Sequence, residues 1–271
     1  MIRQALKAIA PGFLVRAYRE IYWRIRRHRQ QRKLSPFAQE LQARAAQASR
    51  LDVEISSQSE SARSKVEDAA IRGYGAEYNY YSDALRREIV LGFETTLNAA
   101  SSGPGGVDYL EIGSCRGLSM GLIGSMLTES GRLGSLVSID PYFDSGFIEG
   151  KDGPYGKDIR VNIDKKTKAQ AQALYAELGP KVELIEQTSL SGLCRLVEAG
   201  RKFDLIYIDG AHERLWPTVD FGLSCAVLRQ DGVIILDDHL WPDVHPLKLL
   251  CDKHLEQIQE TWKTASYRVK F

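Results

Sequence analysis

The chain has 271 residues, enough for one large domain with an added terminal segment. With 44% hydrophobic and 26% charged residues it is composed like a globular protein, which excludes disordered, collagen-like and disulfide-scaffold classes. No apolar run approaches the roughly 18–20 residues of a membrane span, and arginines stand where a signal peptide needs its apolar stretch. The net charge of +1 conceals an asymmetry: residues 1–33 carry ten Lys/Arg and one acid, Glu20, while the remainder is mildly acidic. Cys115, Cys194, Cys225 and Cys251 have neither metal nor disulfide-framework spacing and read as reduced residues of a cytoplasmic protein.

Three regions follow in chain order: a basic amphipathic helical segment (1–33), a helical N-terminal or lid region (34–100) and a cofactor-binding domain (101–271). In the first, Leu14, Tyr18, Ile21, Tyr22 and Ile25 share one helical face and arginines supply much of the rest. Such a helix suits an anionic membrane surface, which would place the protein peripherally at the inner face of the membrane, or a homo-oligomer contact; no nucleic-acid module accompanies it. Residues 34–70 are Ala/Gln/Ser-rich and predict helices with a mobile stretch near Ser56–Ser64. A further helix is expected over 82–100, ended by the breaker Ser101-Ser102-Gly103-Pro104-Gly105-Gly106.

From there strands (107–112, 135–139, 182–186, 203–208, 232–237) alternate with helices (117–129, 165–178, 189–199, 213–228, 244–259). The strands are short, nearly continuous apolar runs such as Phe203-Asp204-Leu205-Ile206-Tyr207-Ile208. That is the mark of strands buried on both faces. The fold class is therefore α/β: a Rossmann-like, doubly wound, mostly parallel sheet with helices on both faces. One more strand is expected within Ala265–Phe271, leaving a short C-terminal part.

Chemistry is expected at the carboxyl ends of the strands, where open α/β sheets bind ligands. Glu111-Ile112-Gly113-Ser114-Cys115-Arg116-Gly117-Leu118-Ser119 joins the first strand to a helix. Its glycines allow a tight turn and close backbone approach, and the helix start offers unpaired N–H groups. Glu111 would repel a diphosphate, so the loop suits a ligand with hydroxyls and a cationic amino-acid end. Asp140 ends the second strand, near the spacing at which an acid binds ribose hydroxyls. Gln187-Thr188-Ser189 follows the third strand, where it can flank an adenine.

The second constellation is Asp209-Gly210-Ala211-His212 after the fourth strand with Asp237-Asp238-His239 after the fifth. Neighbouring strands lie roughly 5 Å apart, so Asp209, Asp237 and Asp238 can converge. Their mutual repulsion calls for a cation, and oxygen ligands suit Mg²⁺ or another hard divalent ion. His212, three residues after Asp209, can take a proton from a bound hydroxyl.

Glu111-x-Gly113-x-x-x-Gly117-x-Ser119, Ile139-Asp140, Ile208-Asp209-Gly210-Ala211-His212 and Leu236-Asp237-Asp238 together resemble the class I S-adenosylmethionine-dependent methyltransferases. More narrowly they resemble the cation-dependent small-molecule O-methyltransferases, in the branch of macrolide-sugar O-methyltransferases and cephalosporin-hydroxylase-like proteins. The resemblance covers about residues 82–240. It implies that Glu111, Gly113 and Ser119 line the methionine side of S-adenosylmethionine and that Asp140 binds its ribose hydroxyls; Ser114, Gly117, Gln187 and Ser189 complete the candidate cofactor-binding set. It further implies that Asp209, Asp237 and Asp238 bind a divalent metal, with His212 as general base and Asp209 sharing the catalytic role. The acceptor would be a hydroxylated small molecule such as a sugar or glycosylated natural product. Tyr142, Phe143, Tyr155, Trp216 and Trp241 are candidate walls of its pocket, and Asp144–Arg160 a candidate lid. A metal-dependent hydrolase or hydroxylase using the Asp/His cluster, or a non-catalytic cofactor-binding partner protein, are the alternatives.

Overall fold

The structure, a computed structural model, describes residues 36–48, 50, 53–74, 83–101, 104–143, 164–213 and 215–270. The basic segment 1–33, Tyr155 and the proposed lid 144–160 lie outside the described residues. Three helices come first: α1 (Pro36–Ala48), α2 (Ser57–Tyr74) and α3 (Asp83–Ala99). The alternating part follows as β1 (Val107–Ile112), α4 (Leu118–Glu129), β2 (Leu133–Ile139), α5 (Lys165–Leu178), β3 (Val182–Ile185), α6 (Ser189–Glu198), β4 (Phe203–Ile208) and α7 (Trp216–Val227). It closes with β5 (Leu228–Leu236), α8 (His245–His254), β6 (Glu256–Glu260) and β7 (Ala265–Arg268).

The sheet has seven strands in the order β3-β2-β1-β4-β5-β7-β6. β1 to β5 run parallel, and β7 is antiparallel to both β5 and β6. The winding reverses between β1 and β4, so the crevice at their carboxyl ends is the switch point at which such sheets bind ligands. Alternation along β1 explains the two cores. Leu110 and Ile112 face one side, with Ile206, Ile208 and Ile234 and the apolar faces of α6, α7 and α8. Val107 and Tyr109 face the other, with Tyr207, Val233 and Ile235 under α3, α4 and α5. Glu111 continues that second face, so a carboxyl is built into an apolar layer and is fully buried.

Two sequence expectations need correction. Ser57–Ser64, read as part of a mobile stretch, is the first half of α2, which packs against α4 through Ala62 in the second core. The helix expected over 244–259 stops at His254; Leu255 is extended and Glu256–Glu260 pairs with β7. β6 is Glu-Gln-Ile-Gln-Glu at the sheet edge, with no apolar alternation to announce it. Charged, polar side chains are what an unpaired strand edge carries. The β6–β7 hairpin supplies the last two strands of the seven-stranded sheet.

Candidate active site

One end of the site is a backbone-built loop. Gly113 has φ 85°, and a Cβ there would lie 2.0 Å from the carbonyl oxygen of Asp209. Only glycine lets the β1 loop touch the β4 loop this closely. Gly117, at φ 81°, caps α4 without a side-chain hydrogen bond; a Cβ would strike the Tyr175 ring at 2.6 Å. Cys115 and Tyr142 also take positive φ, 45° and 40°, a costly conformation for residues with a Cβ. Asp140 holds both of them. Its Oδ2 accepts from the Cys115 N–H at 2.9 Å and its Oδ1 from the Tyr142 N–H at 3.1 Å. The Tyr142 hydroxyl donates to the Cys115 carbonyl at 3.0 Å and lies 2.9 Å from Ser114 Oγ. Tyr142 is thus a buried brace of this loop, and with Phe143 it also lines a surface cavity.

Glu111 lies beneath the loop and accepts from Tyr109 Oη at 2.8 Å and Ser119 Oγ at 2.6 Å. Burial raises its pKa to about 8; the two hydroxyls oppose this, and negative charge on Asp140 and Asp237 adds to it. A carboxyl so placed is poised to ionise when a cation arrives. After β3, Thr188 caps α6, with its Oγ1 accepting from the Ser191 N–H at 3.4 Å. Gln187 is exposed, while Ser189 hydrogen-bonds Asp220.

The other end is built from charge. Asp209, His212 and Asp237 present ligand atoms that all lie within 4.8 Å of one another. His212 Nε2 is 3.5 Å from Asp209 Oδ1, and its ring leans on the buried Trp241 at 5.1 Å between centroids. Asp237 is 1% exposed; Tyr207 Oη donates to its Oδ1 at 2.5 Å. Burial pushes Asp237 up, but the Lys263 ammonium, a hydrogen bond from Asp209 and the charge of His212 together hold it below the usual carboxylate range. Asp209 moves the opposite way, raised by burial and by the charge of Asp237. Asp238 does not join the trio. It takes φ 44° and meets Lys263 at 3.2 Å, and burial raises its pKa.

Two neighbours were not among the sequence candidates. Lys263, in the β6–β7 turn, pairs with both Asp237 and Asp238. Asp220 of α7 is 1% exposed and lies behind Gly210, where a Cβ would be 2.8 Å from its Oδ2; burial raises its pKa to about 6. The spacing Asp209-x-x-His212 carried a signal, but neither Lys263 nor Asp220 stands in a local motif. Trp216 and Phe143 are 42% and 38% exposed. A cavity of about 210 Å³ opens beside the trio, lined by Ser119, Tyr207, Asp209 and Lys263 and, from the N-terminal helices, by Ile89 and Phe93 among others.

Residues 110–239 match a family model described as a methyltransferase domain. Those residues are a methyltransferase domain. It spans both halves of the site, from the glycine loop to the acid cluster, and the protein is a methyltransferase. No curated protein matches the sequence significantly. Among solved structures the fold is similar to that of the O-methyltransferase NovP, with TM-score 0.54, 14% identity, and 79% of this chain and 100% of that chain covered. It is also similar to the calicheamicin methyltransferase CalS11, with TM-score 0.51, 16% identity and coverage of 80% and 94%. A third is the O-methyltransferase TomG from Streptomyces achromogenes, solved in complex with S-adenosylmethionine, with TM-score 0.50, 16% identity and coverage of 82% and 93%. At these identities the likeness is one of fold. Among the described residues no helix is long and apolar enough to cross a membrane.

Proposed function

We propose that this methyltransferase moves the methyl group of S-adenosylmethionine onto a hydroxyl of a small molecule, of the class of sugars or glycosylated natural products, with a divalent cation in the acid cluster. The observation that carries this reading is the contact of the two halves. The glycine loop and Asp209 touch at Gly113, so a cofactor seated on the loop ends beside the Asp209, His212 and Asp237 side chains. NovP, CalS11 and TomG are methyltransferases by description, which supports the reading without identifying this chain's acceptor.

The residues fit both groups. S-adenosylmethionine supplies a sulfonium-bound methyl group and, at its amino-acid end, an ammonium. Glu111 and Ser119 are placed to receive that end, and Asp140, which keeps acceptor capacity beyond its two backbone bonds, to receive the ribose hydroxyls. The Asp209 and Asp237 carboxylates are donors suited to Mg²⁺ or Mn²⁺, which would lower the pKa of a chelated hydroxyl, with the His212 imidazole beside the metal rather than on it. His212, buried and leaning on Trp241, would take the hydroxyl proton. The protein's main task is alignment, since methyl transfer is an in-line displacement.

The test is transfer of labelled methyl from S-adenosylmethionine to a panel of hydroxylated acceptors, with Mg²⁺ and with chelator. The expected result is label in an ether-linked product, dependent on the cation and absent with His212→Ala. Label recovered only on nitrogen or carbon, or normal turnover by His212→Ala, contradicts it.

A further inference from the structure

Lys263 belongs to no motif of the cofactor loop or acid cluster, yet its ammonium donates to Asp237 Oδ2 and, at 3.2 Å, to Asp238 Oδ1. Its side chain is 15% exposed and that of Asp237 1%, so the pair is largely withdrawn from water. A carboxylate this buried needs a charged partner, and the β6–β7 turn delivers one. That turn is tightly specified. The Thr261 N–H donates to the Thr264 carbonyl at 2.8 Å, and the Thr264 N–H returns to Thr261 Oγ1 at 2.9 Å. The neighbouring Trp262 is anchored to α3: its N–H donates to Glu88 Oε1 at 3.1 Å, its indole N–H to the Leu85 carbonyl at 3.3 Å. Lys263 is thus aimed by the fold.

Asp237 also belongs to the trio that can hold a cation. An ammonium and a divalent ion on one carboxylate repel each other across a few ångströms of poorly screened space. We propose that Lys263 is the chain's own resident cation in the acid cluster and competes with the divalent ion for Asp237. This rests on the metal reading above and adds to it. Loading the metal moves the ammonium off Asp237, with Asp238, outside the trio, still within its reach. Asp238 thereby gains a role distinct from metal ligation. The metal-free site keeps Asp237 paired, and metal affinity is held down until an acceptor adds its own oxygens.

The probe is Mn²⁺, titrated calorimetrically into the full chain as wild type, K263M and K263R, with S-adenosylhomocysteine binding as the check on folding. K263M is expected to bind Mn²⁺ about tenfold or more tightly than wild type, and K263R to stay close to wild type. Equal affinity in wild type and K263M overturns the competition and leaves the metal reading standing. No Mn²⁺ binding by any form overturns both. Where K263M fails to bind S-adenosylhomocysteine, acylation of Lys263 in the wild type replaces it, read by peptide mass with and without Mn²⁺. Added Mn²⁺ is expected to raise labelling; unchanged labelling overturns the proposal.

Discussion

The two ends of the site are made of different material. At β1 and β2 the structure relies on backbone: two glycines at positive φ, two strained non-glycine residues, and Asp140 and Tyr142 tying the loop together. At β4 and β5 it relies on charge: three acids, a histidine and a lysine brought in from the C-terminal hairpin. The first end is satisfied and shaped before any ligand arrives. The second is electrostatically contested, and its acids are driven in opposite directions, Asp237 down and Asp209 up. A preformed cradle suits a cofactor that every turnover shares. A charge-balanced cluster suits chemistry in which a hydroxyl must lose a proton.

If that contrast holds, damage at the two ends separates. The largest effect is expected from the charged end: His212→Ala or Asp209→Ala lowers turnover by about 10²–10⁴-fold, while S-adenosylhomocysteine affinity stays within about threefold. Parallel loss of binding in these variants would falsify the division of labour. Next is Gly113→Ala. Its methyl would occupy the space of the Asp209 carbonyl at a positive φ, so a stability loss of about 3 kcal/mol or more and loss of cofactor binding are expected, read by thermal unfolding and calorimetry.

Glu111 gives a graded test. Its folded pKa of about 8 lies above the ordinary carboxylate value, so its contribution to stability is fully present below about pH 4.5 and is lost as pH rises through about 8. Glu111→Gln should flatten the ligand-free protein's stability between those limits. Binding of S-adenosylhomocysteine near pH 7 should release close to one proton as its ammonium draws Glu111 into the ionised form. Calorimetric heats that do not depend on buffer ionisation enthalpy would remove that role. The smallest effect is expected from Tyr142→Phe, which deletes the Ser114 and Cys115 bonds and should weaken cofactor binding by about three- to tenfold, close to the worth of one or two hydrogen bonds.

The cradle was more legible in the sequence than the cluster. Five parallel strands announce themselves as apolar runs, and Gly113, Gly117 and Asp140 stand at fixed distances from their ends. Local order sufficed because the cradle is local: each residue is within one strand–helix turn of its task. Asp237 and Asp238 are adjacent in sequence, but Asp238 turns at positive φ toward Lys263, while His212 takes the third place in the trio. Lys263 could not be read because its partners lie 25 and 26 residues away, across a hairpin whose outer strand has a polar sequence. The bracing role of Tyr142 was not legible because its hydroxyl reaches a loop 27 residues earlier in the chain.

The most direct measurement of the two-part site is a calorimetric titration of S-adenosylhomocysteine into wild type, Gly113→Ala and Asp209→Ala at pH 7. One molecule bound by wild type and by Asp209→Ala, and none by Gly113→Ala, is the predicted result. No binding by wild type, or equal loss of binding in both variants, contradicts it.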